Sequence, residues 1–261
     1  MPSSRSTRAA PTTVATDPGD AFTLTVLGCD GSWPGPGGAG SGYLVRICDT
    51  AVVLDAGPGT FATLQQVIDP AEVDAVVISH HHHDHWTDLF AMDAHARFGA
   101  RPRRAPLPVY APARVAELAG SDSTSMLEWH EITHGARAGI GEASCAFHRT
   151  DHAEETLAVR IDGAGRALGY SADSGPDWSV HELGSGLDLL LCEATYTAEH
   201  EGTAGHLSAR QAGAAARDAG ARRLVLTHRW PTVDAAAVAE EAEAAFGGPV
   251  EHAMIGREFE L

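Results

Sequence analysis

The densest chemistry in the chain lies in one run, Ser79-His80-His81-His82-His83-Asp84-His85. Imidazole nitrogens and carboxylate oxygens are the donors that zinc and related divalent cations take. Read with a two-residue alternation, the run gives His80-x-His82-x-Asp84-His85, which leaves His81 and His83 as bystanders facing the other way. A purification tag would sit at a terminus, and this run is internal. A loose His-rich tract would need neither a carboxylate at a fixed place nor an element to hold it. Here the apolar run Val73 to Ile78 leads straight into the histidines and reads as a buried strand. Donors are thereby set on a loop at the rim of a sheet, where the scaffold is rigid and substrate has access.

The same signature recurs downstream. His152 stands in Thr150-Asp151-His152, between two apolar strands. Asp173 follows a strand in Tyr170-Ser171-Ala172-Asp173-Ser174-Gly175-Pro176, and Glu193 closes Leu189-Leu190-Leu191-Cys192-Glu193. His206 precedes a helical run in Gly205-His206-Leu207-Ser208, and His228 ends Leu224-Val225-Leu226-Thr227-His228. One polar residue at a strand end is ordinarily a hydrogen-bonded rim or core group. Several of them, in an ordered sheet, gather at one edge.

The elements that must position these groups can be read from periodicity. Strands are expected at Phe22–Leu27, Tyr43–Ile47, Ala51–Leu54, Val73–Ile78, Val109–Tyr110, Ser144–His148, Leu157–Ile161, Ala167–Ser171, Leu187–Cys192 and Leu224–Thr227. Helices are expected at Phe61–Ile68, Trp86–Phe98, Pro112–Leu118, Ser208–Ala219 and Asp234–Phe246. Ser208 with Gln211 three residues on predicts a capping box, and Gly220 a stop. Two halves with the same alternation predict two sheets packed face to face and covered by helices, an α/β fold of four layers. Residues 1–20, rich in Ser, Thr, Pro and Ala, read as a loose tail before one domain over 21–261. The Gly/Pro-rich loop from Gly28 to Gly38 lacks the Gly-Lys-Ser/Thr ending of a phosphate loop, and a strand follows it rather than a helix. It reads as one wall of a pocket, with Trp33 as either a substrate platform or a packed surface ring.

Composition narrows the partners. Lys+Arg of 18 against Asp+Glu of 35 gives a formal net charge of -17, which repels extended nucleic acid and anionic membrane. Cys29, Cys48, Cys145 and Cys192 are scattered without a Cys-x-x-Cys pair, and read as small buried hydrophobes in a reducing, cytoplasmic setting. No apolar run is long enough to cross a membrane, and no apolar segment follows Arg5 and Arg8 to make a secretory signal.

Taken together, these motifs resemble the metallo-β-lactamase superfamily, from Phe22 to the C-terminus. The resemblance is greatest to the phosphodiesterase branch, which includes the tRNA 3′-processing endonuclease Z and small cyclic-nucleotide phosphodiesterases. Tyr170-Ser171-Ala172-Asp173-Ser174-Gly175-Pro176 is similar to that branch's Tyr-Ser-Gly-Asp-Thr-Gly-Pro. Glu193-Ala194-Thr195 and Gly205-His206-Leu207-Ser208 are similar to its Glu-Ala-Thr and Gly-His elements.

The resemblance implies an αββα sandwich with His80, His82 and His152 on one metal, Asp84, His85 and His228 on a second, and Asp173 between them. A set without thiolate suits zinc, and manganese or iron also fit. It implies hydrolysis by a metal-bridging hydroxide, with Asp84, His206 and Glu193 as the catalytic side chains. The tRNA-processing members carry a basic arm that, in compact forms, is expected between the positions of His152 and Asp173. Only twenty residues, 153–172, lie there, and they read as a hairpin. The substrate expected is a small phosphodiester, cyclic nucleotides first. The alternative is an acyl hydrolase of the same superfamily: a lactonase, thioesterase or β-lactamase. A homodimer is compatible with the resemblance, although no patch stands out as an interface.

Overall fold

A computed structural model describes residues 21–120 and 124–261; the tail expected over 1–20 lies outside them. Among the described residues the strands are β1 (Phe22–Gly28), β2 (Gly42–Ile47), β3 (Thr50–Ala56), β4 (Ala75–Val77), β5 (Leu107–Ala111), β6 (Leu127–Glu131), β7 (Arg137–Ile140), β8 (Ala143–Arg149), β9 (Leu157–Gly163), β10 (Arg166–Tyr170), β11 (Leu189–Glu193), β12 (Leu224–Thr227), β13 (Glu251–His252) and β14 (Glu258–Glu260). The helices are α1 (Thr60–Val67), α2 (Leu89–Phe98), α3 (Ala113–Ala119), α4 (Ala209–Asp218) and α5 (Ala235–Phe246).

Strand residues pack alternately into two different cores. In β2, Tyr43, Val45 and Ile47 enter the core between the sheets, while Leu44 enters an outer core against helices. In β11, Leu189 and Leu191 face the other sheet, and Leu190 and Cys192 face α4 and α5. A strand covered on both sides needs apolar residues at nearly every position, so these segments read as continuous apolar runs. The layering is helix, sheet, sheet, helix, the αββα sandwich expected from the sequence. Each fully buried Leu, Val or Phe contributes on the order of 1.5–3 kcal/mol to holding the layers together.

The sheets share one plan. The first runs β14-β1-β2-β3-β4-β5-β6 and the second β13-β12-β11-β10-β9-β8-β7. Strands β1 to β3 are antiparallel, and β3 to β6 are parallel. In the second sheet β7 to β10 are antiparallel, and β10 to β13 are parallel. Parallel neighbours need crossovers, which α1, α2 and α3 supply in the first sheet and, in the second, a 3₁₀ turn over Val180–Leu183 between β10 and β11 followed by α4 and α5. Strands β3, β4, β10, β11 and β12 therefore end at one rim, and the loops leaving them carry the chemistry. The predicted capping box at Ser208 and Gln211 is present at the start of α4, and Gly220 follows its end at φ 67°.

Several expectations need correction. The helix expected from Trp86 begins at Leu89, because 83–85 form a 3₁₀ turn that swings the donors into the site. The strand expected over Val73–Ile78 pairs only from Ala75 to Val77. Strands β6, β7, β13 and β14 were not expected, and all four are sheet edges. An edge strand is short and exposes charged side chains, as Glu128 and Glu131 in β6 and Glu258 and Glu260 in β14, so no apolar run marks it. Cys145 and Cys192 are buried as expected, whereas Cys29 and Cys48 are only partly covered. No helix among the described residues is long and apolar enough to cross a membrane.

Candidate metal centre

The seven residues picked out as donors converge from four loops, those after β4, β8, β10 and β12. Donor atoms of His80, His82, His152 and Asp173 lie within 4.8 Å of one another, as do those of Asp84, His85 and His228. Asp173 joins the two groups: its Oδ2 is 3.5 Å from His80 Nε2, and its Oδ1 is 3.3 Å from His85 Nε2 and 3.4 Å from His228 Nε2. Asp84 Oδ2 is 3.2 Å from His228 Nε2 and 3.4 Å from His85 Nε2. The backbone allows this crowding at Gly57, where a Cβ would come within 1.9 Å of the Asp84 carbonyl oxygen.

The surrounding hydrogen bonds fix which ring nitrogen faces inward. His85 Nδ1 gives its hydrogen to Asp55 Oδ2 at 2.8 Å. The Ser79 hydroxyl donates to Asp55 Oδ2 at 2.9 Å, so it accepts from His80 Nδ1 at 3.0 Å. The Thr195 hydroxyl donates to Glu193 Oε2 at 2.6 Å, so it accepts from His228 Nδ1 at 3.0 Å. His152 Nδ1 donates to the Gly205 carbonyl at 3.0 Å. In all four rings Nδ1 carries the hydrogen and Nε2 presents a lone pair to the cluster, the arrangement a metal-binding imidazole needs. His82 enters by its other nitrogen, Nδ1, 3.2 Å from His152 Nε2.

Two further observations test the fit to a metal. His80 Nε2 and Asp173 Oδ1 are buried polar atoms without a hydrogen-bond partner among the described residues. Both point into the cluster, and such atoms are costly unless something coordinates them. The charge balance agrees. Burial opposes a charge on His85, yet Asp173, Asp84 and Asp55 together raise its pKa well above that of a free imidazole. This excess of buried negative charge is what a divalent cation would neutralise. Burial also opposes charge on Asp84 and Asp173, but neighbouring imidazoles, His85 first for Asp84 and His228 first for Asp173, hold both carboxyls well below the usual range. His80 is driven well below the ordinary histidine value by burial and then by His85, so it is a neutral donor.

Glu193 and His206 meet beside this cluster. His206 Nδ1 is 3.2 Å from Glu193 Oε1 and 3.9 Å from Asp173 Oδ2. Burial works against charge on His206, but the Glu193 carboxylate outweighs it and the pKa rises to about 9. Glu193 is itself held by the Ser174 amide at 2.5 Å and the Leu207 amide at 3.3 Å. His83 is exposed and stacks on Trp86, while His81 is half-buried with its ring 5.5 Å from that of His82. Neither belongs to the donor groups.

Four residues of this centre escape a reading of the sequence: Asp55, Ser79, Thr195 and Tyr170, whose hydroxyl donates to Asp55 Oδ2 at 2.6 Å. Asp55 had the same signal as the others, a carboxylate closing an apolar strand, but Leu54-Asp55-Ala56-Gly57 also reads as a tight turn. The structure keeps Asp55 inside β3, one residue before its end, at a left-handed φ of 55°, close to Ala172 at 50° and His228 at 55°. Left-handed non-glycine residues at three strand ends around one site are strain held by the surrounding packing. Ala172 stands where the branch pattern has glycine, and the φ value explains that glycine.

Comparison with known proteins agrees with this geometry. The profile of the beta-lactamase superfamily domain matches residues 50–229. The uncharacterized protein Rv1339 of Mycobacterium tuberculosis is 34% identical over 252 residues, covering 91% of this chain and 92% of that one. The probable metallo-hydrolase YhfI of Bacillus subtilis is 30% identical over 247 residues, covering 89% and 97%. The YhfI crystal structure superposes with a TM-score of 0.85 at 28% identity, over 93% of this chain and 100% of that one. A ribonuclease Z of Mycobacterium bovis is 27% identical over 244 residues, covering 80% and 86%.

Proposed function

The chain belongs to the beta-lactamase superfamily of metallo-hydrolases, and from that premise we propose that it hydrolyses small phosphodiesters, cyclic nucleotides foremost, in the cytoplasm. The observation that carries this reading is the Glu193–His206 pair at the edge of the donor cluster, 3.9 Å from Asp173. An alkoxide leaving group needs a proton, and His206 beside Glu193 is placed to supply it.

In this reading His80, His82, His152 and Asp173 would hold one divalent ion, and Asp84, His85 and His228 with Asp173 a second. Zinc, manganese or iron so held would supply Lewis-acid charge and an activated water. Asp84 Oδ2, fixed by the Ser32 amide at 2.7 Å, accepts a hydrogen bond from the attacking water and aims it. His206 keeps its Nδ1 hydrogen on Glu193, which leaves Nε2–H free. That hydrogen passes to the leaving oxygen as the P–O ester bond breaks, and the ring is left neutral with Nδ1–H still on the carboxylate.

The substrate is small because residues 153–172 are filled by a loop and the β9–β10 hairpin, whose tight turn is Ala164-Gly165. A tRNA-gripping arm has no place there, and the net charge of -17 opposes the many phosphate contacts that a tRNA body requires. The test is metal analysis followed by a panel of cyclic nucleotides, linear phosphodiesters, lactones and thioesters. Preferential cleavage of phosphodiesters supports the reading. Rapid lactone or thioester cleavage without phosphodiesterase activity replaces it.

A further inference from the structure

Trp33 is a large aromatic ring with 45% of its surface exposed, on a loop that touches the metal-donor cluster. The amide of Ser32, the preceding residue, donates to Asp84 Oδ2 at 2.7 Å. The Gly31 amide donates to the Arg229 carbonyl at 3.0 Å, next to His228. Two segments that touch the donors, 30–33 and 228–230, thus run side by side, and Asp30 and Arg229 form a parallel bridge. Gly31 permits the approach, since a Cβ there would lie 2.3 Å from the His228 carbonyl oxygen.

Each segment ends in a tryptophan. The rings of Trp33 and Trp230 lie 6.1 Å apart between centroids, inclined by 32°. Trp230 is locked from three directions: its amide donates to the Thr195 carbonyl at 3.0 Å, its indole N–H donates to Ser32 Oγ at 3.0 Å, and its ring meets Tyr196 edge-on at 5.5 Å. Trp33 lies against this fixed ring and keeps its remaining surface in water. Ser32 holds φ 62°, a left-handed conformation that directs the chain into this arrangement. An apolar ring held open to solvent by this much fixed structure is preorganised for a flat ligand.

We propose that Trp33, backed by Trp230, is a stacking platform for the nucleobase of the substrate. This inference rests on the phosphodiesterase reading. A nucleotide carries its base one ribose away from the phosphorus, and Trp33 is one residue beyond the amide that holds Asp84. Stacking also meets a need set by charge. A chain of net charge -17 gains nothing from long-range attraction of an anion, so affinity beyond the metal centre must come from contacts that charge does not weaken. A π-face accepts any base, so the platform distinguishes nucleotides from base-free diesters more than one base from another.

The test compares wild type, Trp33→Ala and Trp33→Phe, all metal-loaded, on adenosine 3′,5′-cyclic monophosphate and on the base-free 3′,5′-cyclic phosphate of 1-O-methylribose. Trp33→Ala is expected to raise KM for the nucleotide about tenfold, the loss of one base–aromatic stack, and to shrink the preference over the base-free diester by a similar factor. Trp33→Phe is expected to recover most of that preference. A second readout needs no turnover: adenosine 5′-monophosphate should quench tryptophan fluorescence in the wild type, ribose 5-phosphate should not, and Trp33→Ala should abolish the effect. Equal losses on both diesters overturn the platform while leaving the phosphodiesterase reading in place. If neither diester is cleaved, that reading fails and the quenching alone decides: its presence supports the platform and its absence overturns it. A change in sedimentation on Trp33→Ala, without a change in nucleotide affinity, assigns the ring to an interface between protein chains and also overturns it.

Discussion

The carboxylate of Asp55 holds the Nδ1–H of His85 at 2.8 Å, and neither side chain reaches solvent. Through Ser79 the same carboxylate fixes His80, so one residue outside the donor groups sets a ring in each of them. Glu193 plays the matching part on the second sheet, fixing His228 through Thr195 and holding His206 directly.

Asp55→Asn should therefore weaken metal binding although it removes no donor. Loss of such an outer partner ordinarily costs about 10–100-fold in affinity. Competition with a chromophoric chelator measures it, with circular dichroism to show that the fold persists. Wild-type affinity in the variant would mean that the rings are oriented by packing alone.

His206→Ala should cut turnover of a diester with an alkoxide leaving group, such as adenosine 3′,5′-cyclic monophosphate, by about 10²–10⁴-fold, the range for loss of a general acid, while metal content stays intact. Unchanged turnover would remove the proton-donor role. Lost metal would show instead that His206 belongs to the donor set, which its place with Asp173 and His228 in a third group makes a concrete outcome.

The pH profile should carry the same signature. The folded pKa of His206, about 9, lies above the ordinary histidine value, so the charged form is favoured by folding. The stabilisation it brings is complete below about 6.5 and is lost as pH rises through the folded value. Divalent ions beside Asp173 pull that value down, so the basic limb of kcat should fall no higher than about 9. A kcat that stays flat to pH 10 would contradict the assignment.

Chelation should abolish activity and lower thermal stability together. An ion at a hundredfold excess over its Kd stabilises the folded chain by about 2.7 kcal/mol, or roughly 5–10 °C in Tm for a domain of this size. Calorimetry with and without EDTA, then with zinc or manganese restored, reads both effects. A Tm indifferent to metal would argue that the cluster is held by its own hydrogen bonds.

Much of this centre was legible because its donors close apolar strands. The run at His80–His85, with Asp173 and His228, stands out by residue type and by position after a buried segment. What stayed hidden follows a rule as well. The strands passed over are the four sheet edges, where one open side admits charge and the length falls to as few as two residues, as in Glu251–His252. Among the functional groups, Ser79, Thr195 and Tyr170 act through hydroxyls whose partners lie as far as 115 residues away, and no local pattern encodes such a pairing. Asp55 had a local signal, but one shared with ordinary turns.

Tyr170 on one sheet reaches Asp55 on the other, and Tyr43 reaches Thr227 across the same boundary at 2.5 Å, over 184 residues. The centre is thus stitched across the seam between the two halves of the sandwich. A ribosome must deliver His228 before the second group of donors exists at all. An ion that needs this second group would be captured only after that point, and its binding at native affinity would report that both sheets have docked in register.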